Sequence, residues 1–348
     1  MGDCACYVDG LCSHGANLAF TFLELTPACN NRCVGCGNVF ANNRSSKPLS
    51  AQEWRIILER IAPSVSWLKI TGGEPTLHPE FEEIIKHIAA LGIPFTLFTN
   101  ARWMKPKKLI HFLANIPQLD GLLISIHGAK AQTHEAFTCI PGSFNETIAN
   151  IRLAIAAGLK VTTSTVLTRY NCSEVEEIVT LSQEIGADHA AFQRFIGPAL
   201  PEIEPNEIEL AWAVKAIEEI ANRERRVGGN EHRPRGNSKL ARFGTPIPQC
   251  FVANSSGGCL AGTAYVTIDP WGDVRPCNHA PLVCGNILEQ SLEEILHSAK
   301  MEFWRKIIPK ECIKCEKFEI CRGGCRATAL LRGLQKDPLC SYAYHFAL

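Results

Sequence analysis

Three closely spaced cysteines are the residues whose types and spacing most clearly suggest chemistry. Cys29, Cys33 and Cys36 stand in the run Cys-Asn-Asn-Arg-Cys-Val-Gly-Cys, so one short loop supplies three thiolates. A structural zinc site normally closes with four protein ligands. A [4Fe–4S] cluster, which otherwise takes four cysteines, keeps one iron open when only three bind it. An open iron can bind a small molecule, so the spacing favours a reactive cluster, with a zinc site as the alternative.

The chain carries 17 cysteines among 348 residues, and a second block of them lies near the C-terminus. The sequence does not open with the basic and apolar stretches of a secretory signal. We therefore expect a cytoplasmic protein, in which thiols stay reduced and bind metal ions or clusters. For a small N-terminal group, a flexible tail with spare thiols is favoured over a metal site: Cys4, Cys6, Cys12 and His14.

The composition argues against two classes of partner. The formal net charge is zero, so we expect neither a nucleic-acid binder nor a protein of anionic membrane surfaces. No apolar run reaches the ~20 residues of a membrane span. The length allows about two or three domains.

The first two hundred residues alternate apolar strands with helices. Strands are predicted at 18–26, 67–71, 95–100, 121–127, 160–168 and 189–195. Helices are predicted at 50–61, 79–91, 106–113, 144–157 and 173–185, and a longer one at 206–223. Such alternation calls for a parallel sheet wrapped by helices. Six units rather than eight predict an α/β fold with an open, partial (β/α)6 TIM barrel.

Polar motifs follow the predicted strands, where parallel sheets carry their chemistry. The cysteine loop follows the first strand, and Gly72-Gly73-Glu74-Pro75 follows the second. Asn100 ends the third strand. Late in the fourth and sixth strands stand Ser125, His127, Gln193 and Arg194.

The cysteine loop and the Gly-Gly-Glu-Pro run together resemble the radical S-adenosylmethionine (SAM) superfamily over residues 18–196. The resemblance implies a SAM-binding [4Fe–4S] cluster on Cys29, Cys33 and Cys36. Further, it implies contacts to SAM from Gly72, Gly73, Glu74, Asn100, Ser125 and Arg194. His127 is interpreted either as another contact or as a structural histidine.

One position departs from the superfamily's pattern. An aromatic residue usually precedes the third cysteine and lies near the adenine, but this chain has Gly35 there. We expect another group to pack against the adenine, such as an apolar residue late in the fifth or sixth strand.

The C-terminal cysteines resemble the SPASM pattern, an auxiliary-cluster extension of some radical SAM enzymes. Twelve residues and Gly272 follow Cys259, then four residues and Cys277; Cys312-x2-Cys315-x5-Cys321-x3-Cys325 and Cys340 complete the series. The resemblance implies two auxiliary [4Fe–4S] clusters, hence three in all. Auxiliary cluster I would take Cys259, Cys277 and Cys325, with Cys250 as the fourth ligand and Cys284 as its rival. Auxiliary cluster II would take Cys312, Cys315, Cys321 and Cys340.

These patterns predict four regions along the chain. They are an N-terminal tail (1–17), a radical SAM core (18–200), a helical bridge with a polar linker (201–249) and a SPASM domain (250–348). Only about seventeen residues precede the first strand, too few for the peptide-recognition domain that many such enzymes carry. We therefore expect a separate small recognition protein as partner.

The resemblance implies a radical SAM enzyme that modifies a ribosomally made precursor peptide. The sequence around the first cysteine loop resembles that of maturases of Nif11-class leader peptides. A flavodoxin or ferredoxin would supply the electron that cleaves SAM into methionine and a 5′-deoxyadenosyl radical. That radical would abstract hydrogen from the peptide, leading to crosslinking, epimerisation or backbone excision. No catalytic acid or base is assigned, since Asp269 and Asp273 serve equally well as turn caps.

Three alternatives stay open. One is a SPASM enzyme for a small molecule or tetrapyrrole, and a second is a sulfatase-type maturase. The third is a zinc-binding interaction protein without enzymatic activity.

Overall fold

The computed structural model describes residues 18–227, 259–316 and 318–340. One mixed sheet organises them, with nine strands in the order β6-β5-β4-β3-β2-β1-β7-β8-β9. The strands are β1 (Phe20–Glu24), β2 (Leu68–Thr71), β3 (Phe95–Thr99), β4 (Leu119–Ser125), β5 (Val161–Val166), β6 (His189–Gln193), β7 (Tyr265–Ile268), β8 (Asp273–Arg275) and β9 (Gly285–Asn286). β1 to β6 are parallel and adjacent in chain order, which confirms the six predicted βα units.

Helices cover the sheet between these strands. In the core they are α1 (Ala51–Ile61), α2 (Phe81–Ala90), α3 (Pro106–Ala114), α4 (Ala131–Thr138), α5 (Ser143–Ala156), α6 (Val175–Glu184) and α7 (Glu207–Val227). Four short helices follow in the C-terminal region: α8 (Leu292–Leu296), α9 (Ala299–Lys306), α10 (Phe318–Cys321) and α11 (Arg326–Leu331). No helix in these described residues combines the length and the apolar character that crossing a membrane requires.

Local signals account for most helix boundaries. Ser50 begins α1 through a capping box with Glu53, as its position predicts. α2 begins at Phe81, later than predicted, because Pro75–Leu77 forms a separate 3-10 turn. α4 was missed by sequence reasoning, since its short run has little helical periodicity and ends at Cys139 in a left-handed conformation.

The C-terminal strands are part of the core sheet. β7 and β8 do form an antiparallel pair, but β7 also lies parallel to β1 and extends the core sheet. Phe20 and Tyr265 stack across this junction with ring centroids 4.6 Å apart. Without β7, one edge of β1 would expose unpaired backbone groups. The core and the C-terminal region therefore share one sheet and one main apolar cluster, which includes Leu23, Ile70 and Ile268.

Candidate active site

A cavity of about 470 Å³ lies between the core and the C-terminal region. All three cysteines of the first loop line it, as do Cys259, Cys277, Cys321 and Cys325 from the C-terminal region. Among the other predicted contacts, Gly73, Asn100, Ser125 and Arg194 line it, together with His127. The sheet thus brings the two sets of cysteines to one cavity.

The three loop thiols lie close enough to influence one another. Burial raises the pKa of Cys29 to about 11, and the neighbouring charges of Glu74 and Cys36 also act to raise it. Burial likewise raises the pKa of Cys33, and next in size come the charges of Cys36 and Cys29. Three crowded thiolates are unfavourable unless a cation neutralises them, and bound iron would do so. This arrangement fits a cluster held by three cysteines.

No group of three or more His, Cys, Asp or Glu side chains in the described ranges is arranged to hold a single metal ion. The grouping of the thiols does not conflict with this finding. In a [4Fe–4S] cluster each cysteine binds a different iron, which separates the sulfurs more widely than one ion does.

Two elements hold the cysteine loop in place. The C-terminal carbonyls of α4 accept hydrogen bonds from the loop, Arg32 N–H to Thr138 O and Val34 N–H to Phe137 O, both at 3.0 Å. Arg102, after β3, donates from Nη1 to the carbonyl of Asn30 at 2.7 Å and to Oδ1 of Asn31 at 3.0 Å. Sequence reasoning missed Arg102, because no motif marks it.

Glu74 lies behind the cavity rather than in its lining, and its side chain is fully buried. Its Oε1 accepts hydrogen bonds from the hydroxyls of Thr76 at 2.6 Å and Thr99 at 2.9 Å, and its Oε2 accepts the backbone N–H of Asn100 at 2.8 Å. The pKa of Glu74 is raised because burial outweighs these hydrogen bonds. In this structure Glu74 orients Asn100 instead of facing the cavity.

The two glycines before Glu74 allow a close approach of β2 to the cysteine loop. Gly73 N–H donates to Thr26 O at 2.7 Å, and a Cβ on Gly73 would lie only 2.2 Å from Ala28 O. Gly73 lines the cavity, whereas Gly72 does not. Asn100 donates from Nδ2 to Oδ1 of Asn30 at 2.7 Å, which connects it to the same loop.

His127 is a buried, neutral ring in the cavity wall. Burial, and secondarily the charge of His134, lowers its pKa to about 3. Its ring packs on Phe137 at 4.2 Å between centroids, and its Nδ1 has no hydrogen-bond partner within the described part of the chain.

The side chains around Gly35 leave no room for a larger residue at this position. A Cβ there would lie 2.7 Å from Phe195, 2.8 Å from Ile203 and 3.0 Å from Phe137. The space that an aromatic residue would need at position 35 is therefore filled from the core. Val166, the last residue of β5, and Ile196, which follows β6, line the cavity as apolar residues. Packing of these two residues against the adenine remains a prediction.

The C-terminal thiols form two groups. Burial raises the pKa of Cys277, followed by the charges of Cys259 and Cys325. Burial also raises the pKa of Cys312, and the charges of Cys340 and Cys315 raise it further. The pKa of Cys321 is likewise raised by burial, and the charges of Cys340 and Cys312 add to this effect. Each group contains cysteines that the SPASM resemblance assigns to the same auxiliary cluster, and the two sets of ligands stay a prediction.

Cys284 stands apart from both groups. It packs in the main apolar cluster with Val274 and Ile287, whereas Cys277 belongs to a different cluster with Trp304. The charges that act on its thiol come from Lys300 and Arg305 rather than from another cysteine. Cys250, like Cys4, Cys6, Cys12 and His14, lies outside the described residues.

Three polar contacts fasten the C-terminal thiols to the core. Arg275 forms a buried ion pair with Glu24 and donates to the carbonyl of Cys277 at 3.3 Å. His279 Nδ1 lies 2.8 Å from the carbonyl oxygen of Gly37 in the cysteine loop. Arg194 forms a bidentate pair with Asp337 at 2.6 and 2.8 Å, so this predicted SAM contact is engaged with the C-terminal region.

Comparison with known families decides the identity. A family model of the radical SAM superfamily matches residues 23–181, and a model of SPASM, an iron–sulfur cluster-binding domain, matches residues 259–326. The chain is a radical SAM enzyme with a SPASM domain. Members of these families bind SAM and iron–sulfur clusters, for which cysteine thiolates are the usual donors.

The relatives of this radical SAM enzyme cover nearly its whole length. An AdoMet-dependent heme synthase of Methanosarcina barkeri is 28% identical, over 92% of this chain and 95% of the relative. A PqqA peptide cyclase of Xanthomonas campestris is 28% identical, over 91% of this chain and 85% of the relative. Streptococcus suis SuiB, solved with its precursor peptide SuiA, shares the fold with a TM-score of 0.75 and 18% identity over 93% of this chain and 76% of that one.

Proposed function

We propose that this radical SAM enzyme modifies a ribosomally made precursor peptide by hydrogen abstraction. One observation carries the proposal: a single cavity is lined both by the thiols of the first loop and by thiols of the SPASM domain. The similarity to a PqqA peptide cyclase supports a peptide substrate. Crosslinking, epimerisation and backbone excision are all outcomes of such chemistry.

The proposal assigns three [4Fe–4S] clusters to the chain. Cys29, Cys33 and Cys36 would hold the one that binds SAM. The auxiliary clusters would be held by Cys259, Cys277, Cys325 and Cys250, and by Cys312, Cys315, Cys321 and Cys340. At Cys29, Cys33 and Cys36, a bound cluster with SAM would supply the one-electron radical chemistry that hydrogen abstraction requires.

The chain's own residues would bind, orient and exclude water. Asn100, Ser125 and the backbone of Gly73 offer polar contacts to SAM, and Glu74 acts through Asn100. His127 stays neutral over the physiological range and lines the cavity, and its Nδ1 has no hydrogen-bond partner among the described residues. We propose Arg194 as a link to the SPASM domain rather than as a contact to SAM, because Asp337 occupies its guanidinium.

The partners belong to the same proposal. A flavodoxin or ferredoxin would deliver the electron, and a separate small protein would present the precursor peptide. The core would extend over residues 18–200, the bridge over 201–249 and the SPASM domain over 250–348.

A second candidate is a tetrapyrrole substrate. The observation that favours it is the similarity to an AdoMet-dependent heme synthase, because the alignment with this chain covers 95% of that protein. A sulfatase-type maturase is the remaining enzymatic alternative.

The test combines metal content with turnover. Anaerobically purified protein is expected to contain about 12 irons per chain and to cleave SAM when a reductant is present. It is then incubated with a precursor peptide encoded by a neighbouring gene or with an iron tetrapyrrole, and the products are analysed by mass spectrometry. Cys33→Ala should abolish SAM cleavage, whereas Cys139→Ala, at an exposed position, should not.

The outcomes separate the candidates. A mass change in the peptide that depends on SAM supports the proposal. Conversion of the tetrapyrrole without any peptide product would replace it with the second candidate. Zinc in place of iron would favour the interaction protein and sink the enzymatic proposal.

A further inference from the structure

A buried ion pair lies between the two groups of SPASM thiols. The side chains of Arg194 and Asp337 are 2% and 1% exposed. Asp337 Oδ2 also accepts the backbone N–H of Cys325 at 2.8 Å, and its backbone carbonyl accepts the N–H of Cys340 at 3.0 Å. One residue thus contacts a cysteine from each group, and its partner belongs to the end of β6.

The packing around Asp337 leaves little freedom. A Cβ on Gly324 would lie 2.6 Å from Cβ of Asp337, and Gly324 has a φ of +73°, so the residue before Cys325 must be small and left-handed. Asp337 Oδ1 accepts a further hydrogen bond from Leu339 N–H at 3.1 Å. The carboxylate is therefore held from three sides.

Charges in such a place act strongly on nearby groups. Coulomb interactions weaken far less in a buried region than in water, and a buried pair tolerates the loss of one partner poorly. Reduction potentials of iron–sulfur clusters depend on local charge and hydrogen bonding. A fixed positive and a fixed negative charge beside the two thiol groups therefore bear on how readily each bound cluster accepts an electron.

We propose that Arg194 and Asp337 form a positioning pair that fixes the two auxiliary clusters relative to each other and sets their reduction potentials from the core side. The inference rests on the proposed function in one respect, namely that the SPASM cysteines hold two clusters. It assigns Arg194 a role in the electron path of the enzyme, in place of the predicted contact to SAM.

The experiment is a redox titration of the holoenzyme followed by electron paramagnetic resonance. Asp337→Asn removes the negative charge, so an auxiliary potential should become more positive. Arg194→Met removes the positive charge, so the same potential should become more negative. The potential of the SAM-binding cluster should stay unchanged in both variants.

A matched control is Glu204→Gln. Glu204 pairs with Arg332 at 2.8 Å and, like the test pair, joins the segment after β6 to the C-terminal region. This variant should leave all potentials where they are. Loosened packing alone would move the two test variants in the same direction.

Several results would overturn the inference. Unchanged potentials, or shifts of the same sign, in variants with full iron content remove it while the proposed function stands. If Arg194→Met fails to fold, Arg194→Lys takes its place: it keeps the positive charge, so the auxiliary potentials should stay near those of the parent, and a shift as large as that of Asp337→Asn would remove the inference. If the parent protein contains no auxiliary iron, both this inference and the proposed assignment of three clusters are wrong.

Discussion

At the scale of residues, the site is built from buried polar groups with specific partners. Glu74 is an acceptor for Thr76, Thr99 and Asn100, and so the Gly-Gly-Glu-Pro run organises the wall behind the cavity. His127 and His134 form a second buried unit, in which the backbone N–H of His127 donates to Nδ1 of His134 at 3.2 Å. Both rings are held neutral, which has a consequence for stability.

We expect the histidine pair to make the fold sensitive to acid. Burial lowers the pKa of His127 to about 3 and of His134 to about 4, both below the ordinary value of 6.5. The unfolded chain therefore binds protons first, and stability should fall as the pH decreases from about 6.5 towards those values. His127→Asn should flatten this dependence by up to about 1.4 kcal/mol per pH unit.

Thermal unfolding midpoints between about pH 7 and pH 5 would measure the effect. The comparison of variant with parent cancels other contributions to acid lability. His111→Asn, at an exposed position on α3, serves as the control and should follow the parent. Parallel pH profiles for the parent and His127→Asn would contradict the prediction.

At the scale of elements, two segments that are distant in sequence hold the cysteine loop. α4 accepts two of its N–H groups, and the loop after β3 supplies Arg102. Arg102 also pairs through Nε with Glu146 on α5 at 2.8 Å. The planar guanidinium thus joins the loop to α5, and a lysine cannot reproduce its several directed hydrogen bonds.

Substitution of Arg102 should therefore impair the loading of the first cluster. We expect Arg102→Met and Arg102→Lys to lose about four irons per chain after anaerobic reconstitution, together with the paramagnetic signal that responds to SAM. Arg55→Met removes an exposed pair with Glu59 on α1 and should retain full iron. Normal iron and an unaltered SAM response in both Arg102 variants would show that the loop does not depend on this clamp.

At the scale of the whole molecule, the core and the SPASM domain form one structure. β7 continues the core sheet at β1, and the Glu24–Arg275 pair lies under that junction with both side chains 2% exposed. Arg275 further donates to the carbonyls of Asn278 and Ala280, so it orders the segment after Cys277. Docking of the SPASM domain thus depends on a charge buried at the end of β1.

Loss of Arg275 should be costly. Arg275→Met leaves Glu24 buried without its partner, which should reduce the free energy of unfolding by about 3–5 kcal/mol. The double variant Glu24→Gln/Arg275→Met removes the unpaired charge and should recover part of this loss. Arg169→Met breaks an exposed pair with Glu209 and should cost no more than about 1 kcal/mol. Thermal unfolding compares the four proteins, and equal midpoints for Arg275→Met and Arg169→Met would refute the buried-charge argument.

The sequence by itself determined the repeated βα units and the spacing of the cysteines in the first loop and near the C-terminus. These features depend on local patterns: apolar runs that alternate with helical periods, a capping serine at residue 50 and fixed spacings between thiols. Some helices were harder to predict. The start of α2 was placed too early because a 3-10 turn precedes it, and α4 was missed because its sequence lacks a clear helical period. The predicted strand ends gave the positions of the residues proposed to contact SAM, but they did not give the directions in which those side chains point.

Only the tertiary structure decided how the distant parts engage. Arg194 meets a carboxylate 143 positions away, and Arg275 meets Glu24 across 251 positions. The carboxylate of Glu74 accepts hydrogen bonds from Thr76, Thr99 and Asn100, and Cys284 packs among the apolar residues of the main core. These contacts depend on which buried groups face each other after folding. Sequence separation and local periodicity do not predict such long-range pairs.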